Sequence, residues 1–163
     1  MAYNAWSVTF GEQPSIAKWN YLGTNDAGFY DGTNLPTYGA DKATVATNQS
    51  TTSSSATDLA TTGPSVTVTV GATGKVLLIA SYSTQNDTTT GQGRGFYVVS
   101  GANTIAATEF MGDRSPTTTQ AIYCSGTVLL TGLNAGSTTF KLQYARSAGT
   151  QQFADRTLTV IPL

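Results

Sequence analysis

The chain has 163 residues, a formal net charge of −1, no histidine and 10% charged residues, against about 25% in an average soluble protein. This balance excludes a basic nucleic-acid surface. With one cysteine, Cys124, it also excludes Ser-His-Asp and Cys-His catalysis and thiolate or imidazole zinc sites. No apolar run reaches the 18 or so residues of a membrane helix, while the length suffices for one domain with its own core and an attached segment.

Residues 1–12 place Trp6, Val8 and Phe10 at alternate positions. Pro14 suits a first helical turn, and Ile16, Trp19, Gly23, Ala27 and Tyr30 follow at spacings of three and four. A short helix over about 14–22 is predicted. Two Trp, two Phe and three Tyr in the first 30 residues are more than so short a piece can bury by itself. They pack either on the chain's own β-domain or on another protein. The second option makes Trp6, Phe10, Ile16, Trp19, Leu22, Phe29 and Tyr30 candidate anchor residues. The start, MAYNAWSVTF, lacks the basic and apolar regions of a signal peptide, so synthesis in a cytoplasm without export by the usual route is expected.

The segment that follows, up to residue 57, is rich in Thr, Ser, Gly and Asn. Such composition reads as a linker, with little to bury and much entropy to lose. The expected organisation is an anchor segment at 1–35, a polar linker at 36–57 and a β-domain at 58–163.

From residue 58 strand signals recur about every 10 residues. SVTVTV at 65–70 alternates strictly, and GATG is its turn. KVLLIASYST at 75–84 begins almost wholly apolar, as in a central strand covered on both faces. RGFYVVS (94–100), a turn at Gly101-Ala102-Asn103, and TIAATEFM (104–111) follow, with loops at 85–93 and 112–118. The last third holds three runs cut by LNAG and SAGT. Phe140, Leu142 and Tyr144 alternate with Lys141 and Gln143, and Leu158 and Val160 with Thr157 and Thr159. Seven or eight antiparallel strands of this spacing predict an all-β sandwich or jelly roll.

Catalytic chemistry is not written here. Asp87, Glu109, Asp113 and Asp155 show no spacing of a glycosidase pair or a calcium loop, and the glycines at 91, 93 and 95 do not form a phosphate cradle. Asp155-Arg156 reads as an ion pair or hydrogen-bond bracket where the last strand starts, Arg114 as solvent-facing, and Cys124 as a small buried hydrophobe. Tyr82, Tyr97, Tyr123 and Tyr144 all fall on strands. Core or subunit interface is their reading, and they are the candidates for a trimer interface; sugar stacking is the alternative. No cofactor and no metal is expected, and the chain is read as not an enzyme.

The stretches GPSVTVTVGATGKVLLIASYS, VLLTGLNAGSTTFKLQYARS and FADRTLTVIPL resemble the tumour-necrosis-factor/C1q-like jelly rolls of phage and bacterial surface proteins. GEQPSIAKWNYLGTNDAGF resembles a segment at the start of small tailed-phage virion proteins. The resemblance implies a homotrimer with one sheet of each subunit facing a three-fold axis, located in the virion and attached through the N-terminal segment to another virion structural protein. It lacks a collagen-like stalk. Two placements stay open: a tail or baseplate fibre tip that binds a host surface glycan or protein, and a capsid decoration or head fibre. A free carbohydrate-binding module is the remaining alternative. Neither nucleic acid nor membrane insertion enters any of these.

Overall fold

Among the described residues, period-two patterning becomes strands. The computed structural model describes residues 39–86, 91–112 and 120–163, which belong to one unit, Tyr38–Leu163. Nine strands run through them: β1 (Asp41–Val45), β2 (Gln49–Thr51), β3 (Ser65–Val70), β4 (Val76–Asn86), β5 (Gly93–Gly101), β6 (Ile105–Gly112), β7 (Ile122–Leu130), β8 (Gly136–Arg146) and β9 (Gln151–Pro162). The predicted N-terminal helix and all seven candidate anchor residues lie outside the described residues.

The strands form two antiparallel sheets, β1-β9-β4-β7 with β2 also on β9, and β3-β8-β5-β6. From β2 onward nearly every connection crosses from one sheet to the other; only β5 and β6 form a hairpin within a sheet. This order is that of a jelly roll, two Greek keys folded face to face. Along β3, Val66, Val68 and Val70 point inward and Ser65, Thr67 and Thr69 outward. β8 places Phe140 opposite Val66 and carries Leu142 and Tyr144 farther along the same inner face, and β4 adds Val76, Leu78, Ala80 and Tyr82. In β3, β4 and β8 the alternation places about half or more of the strand in the core, which fixes the register because a one-residue slip would turn these side chains into water.

Of the expected linker, the described residues 39–57 are not simply a linker. β1 and β2 fall inside this stretch, both hydrogen-bonded to β9, and the segment beyond them bonds to β8 through Thr57 and Tyr144. The reason lies in the ladder. DKATV and QST have too little apolar area to read as strands, but an edge strand needs backbone pairing more than a buried face.

Tight turns join the ends. Asn103 in the β5–β6 turn accepts from the Asn134 amide and donates to the Asn134 carbonyl, tying that hairpin to the β7–β8 turn. Gly74, at φ +62°, lies against the same β7–β8 turn, where a Cβ would meet the Leu133 carbonyl oxygen at 2.5 Å. Backbone cannot withdraw as a flexible side chain can, and the left-handed φ adds its own penalty. Gly74→Ala is therefore expected to cost about 2–4 kcal/mol. Chemical denaturation checks it, and a change under about 0.5 kcal/mol would show that the turn relaxes freely.

Candidate functional site

The period-two phase of β9 breaks once. Its inward residues are Gln151 and Phe153, then Arg156, Leu158 and Val160. Two residues of β9 here oppose one of β4, a β-bulge seen as the register shift between Ser81 and Ser83. Asp155 takes the left-handed conformation, φ 49°, and stays exposed on the outer face, with Ser83 Oγ donating to its carboxylate over 3.4 Å. Arg156 is turned inward and fully buried.

Opposite the bulge the edge strand is interrupted between β1 and β2. Buried carbonyls outside a ladder need partners, since an unpaired one costs about 1–3 kcal/mol. Arg156 serves three of them, one in this gap and two in the β2–β3 connection. Its guanidinium donates to the carbonyls of Gly63 (3.2 Å), Thr61 (3.3 Å) and Thr47 (3.5 Å), and to Gln49 Oε1 (2.8 Å). It also sits 5.4 Å from the ring centroid of Tyr144, a cation–π arrangement. Burial lowers the Arg156 pKa from its ordinary value, and burial raises that of the Tyr144 hydroxyl against the opposing charge of Arg156. Asp155-Arg156 is thus a hydrogen-bond bracket within β9 and not at its start, since β9 begins at Gln151.

Three of the four tyrosines assigned to a trimer interface are elsewhere. Tyr82, Tyr97 and Tyr144 are buried inside their own subunit, Tyr82 and Tyr144 edge to face at 5.9 Å and Tyr97 against Phe110 at 5.4 Å. They share the strand phase of core neighbours: Leu78 and Ala80, Val99, and Leu142. Side chains enclosed in this way cannot meet another copy. Tyr123 is the exception. It is 79% exposed and shares its phase with Ser125, Thr127 and Leu129 on the outer face of β7. Strand phase, read residue by residue, would have separated it from the other three.

That outer face has two ends. At one, Leu77 lies between Leu129 of β7 and Ile161 of β9, with Ile79 one step along β4. Leu129 is 52% and Ile79 39% exposed. About 20 Å away, six residues along β7, stands Tyr123. It faces Ser83, which in turn faces Ala154. Beside them is a hollow lined by Asn48, Gln85, Ala121 and Gln152, where the Asn48 amide donates to Gln152 Oε1 at 2.7 Å.

The opposite sheet differs. Its outer face carries threonines and two ion pairs, Lys141 with Asp58 at 2.8 Å and Arg94 with Glu109, the Arg94 guanidinium also lying 5.3 Å from the Phe96 ring centroid. Cys124 is half-buried at the core's margin. Among the described residues no three metal-ligating side chains cluster, and no helix is long and apolar enough to cross a membrane. Asp87, Asp113 and Arg114 lie outside the described residues.

This arrangement of strands has counterparts among solved structures. The structure of infectious bursal disease virus Gx strain matches over 76% of this chain with a TM-score of 0.51 and 10% identity. The VP2 subviral particle of infectious bursal disease virus matches over 76%, also at 0.51, with 12% identity. The likeness is one of fold. The chain spans about a third of the length of either protein, 33% and 32% respectively. No protein-family model matches the chain, and no curated protein does.

Proposed function

We propose that the chain is a non-enzymatic structural protein of a tailed-phage virion, a trimeric surface knob attached by residues 1–35. It sits on the tail or baseplate, where it meets a host surface glycan or protein. The observation that carries this reading is the jelly-roll fold, similar to that of the VP2 subviral particle of infectious bursal disease virus. Capsid decoration is the second reading, favoured by that same particle likeness. The aromatic load of the first 30 residues supports attachment to another virion protein, because each such ring contributes about 1.5–3 kcal/mol when buried.

The trimer contact is assigned to the outer face of the β1-β9-β4-β7 sheet, in place of the buried tyrosines. Leu77, Leu129, Ile161 and Ile79 supply apolar area there, whereas the other sheet's outer face is occupied by its own ion pairs. Described carboxylates are spread over separate partners, Asp41 with the Lys42 amide, Asp58 with Lys141, Glu109 with Arg94 and Asp155 with Ser83, which supports a role without catalysis.

Sedimentation of the full chain at micromolar concentration is expected to give a trimer, and Leu129→Lys a folded monomer. A wild-type monomer removes the trimer. Deleting residues 1–30 should abolish incorporation into particles; a truncated chain that still joins them removes the anchor.

A further inference from the structure

We propose that the Tyr123 end of the β1-β9-β4-β7 sheet binds a neutral sugar, with the Tyr123 ring as stacking platform and Asp155, Asn48 and Gln152 as partners for its hydroxyls. The proposal gives a site to the host glycan named above, and it rests on that reading only for the origin of the sugar.

The ring comes first. Tyr123 stands 79% exposed on a floor of small side chains, Ser83 and Ala154 across the sheet, Ser125 along its own strand and Ala121 just before that strand begins. A flat aromatic face bordered by small residues is open to a flat partner of similar size, and the C–H face of a pyranose is one. Two strand spacings separate Tyr123 from Ala154, about 10 Å, a width that one or two sugar rings cover.

Next come the polar groups. The hollow beside the ring holds about 40 Å³, room for a hydroxymethyl arm or a water but not for a whole sugar ring. Its lining is amide, hydroxyl and methyl. A shallower trough continues past it along Asn48, Gln49, Ser50 and Gln152. Amides both donate and accept, as sugar hydroxyls do. No lysine or arginine lines either depression, so a phosphate or sulfate finds no countercharge there.

Asp155 decides the class. It holds the bulge position at φ 49°, a conformation that glycine, asparagine and aspartate adopt, and its carboxylate is exposed and 3.4 Å from Ser83 Oγ. A carboxylate accepts hydrogen bonds from neighbouring hydroxyls of a diol and repels an anionic sugar, which leaves a neutral one.

The test is saturation-transfer NMR on the full-length chain with glucose, galactose and N-acetylglucosamine, each at millimolar concentration, together with sedimentation of the same samples. Transfer to at least one of these sugars is expected. Tyr123→Ala and Asp155→Gly should each weaken it about tenfold or more. Glycine suits the bulge, so the second variant removes the carboxylate and keeps the fold. No transfer to any of the three sugars overturns the proposal, as does undiminished binding by both variants. If Tyr123→Ala dissociates the assembly, Tyr123 is a contact between copies and the site is withdrawn. A chain that binds sugar yet is absent from particles would keep this site and remove the virion reading; one found in particles that binds none would do the reverse.

Discussion

Arg156→Ala is expected to lower the unfolding free energy by about 3–5 kcal/mol, because three backbone carbonyls and the Gln49 side chain lose their donor inside the protein. For a unit of this size that is roughly 10–20 °C in melting temperature. Two further variants separate the causes. Arg156→Met fills the volume but leaves the carbonyls bare, and should lie closer to the alanine variant than to wild type. Arg156→Lys keeps a charge without the planar fork, and should recover part of the loss. A methionine variant as stable as wild type would show that the guanidinium fills space and does not serve as a donor. Thermal and chemical denaturation of the three variants decide it.

Phe153→Ala is expected to cost about 3–5 kcal/mol, comparable to the arginine variant but by a different mechanism. The Phe153 ring is fully buried, 4.8 Å from Tyr144 and 5.3 Å from Tyr82 between ring centroids. Removing it leaves a cavity between two tyrosines whose backbones lie in opposite sheets, Tyr82 laddered to β7 and Tyr144 to β5. Little collapse is possible there, so the penalty stays near the upper end. Phe153→Leu should recover about half of it. A loss under about 1 kcal/mol for the alanine variant would mean that the sheets close over the gap. Both positions touch Tyr144, so the double variant should fall short of the sum of the single ones.

Alternation made most of the fold legible. Val66, Val68 and Val70 were readable as one face of a strand, as were Phe140, Leu142 and Tyr144, because each run is apolar at every second position and ends at a turn. The first edge of the sheet was not. Asp41 to Val45 and Gln49 to Thr51 show mostly exposed or half-buried side chains, and their stability comes from pairing with a strand more than 100 residues away, which no local pattern records.

The candidate site was legible only in part. Sugar stacking was an alternative for all four tyrosines, and one of them has the exposure for it. Tyr82 shares its phase with Leu78 and Tyr97 with Val99, so comparison along each strand assigns both to the core. Arg156 left a fainter trace, the three-residue step from Phe153 in a strand that otherwise steps by two. Asn48 and Gln152 left none. They meet through the break between β1 and β2, and a polar residue in a polar stretch has nothing to distinguish it.

The position of β9 governs how the molecule must come into being. It lies between β1 and β4, yet it is the last of the nine to leave the ribosome. Until it arrives, the earlier members of its sheet have no common neighbour, and their open backbone edges invite pairing with other nascent chains. Partners so remote in sequence make folding slow, roughly milliseconds to seconds for such topologies. The outer face of this sheet is therefore complete only once β9 is in place.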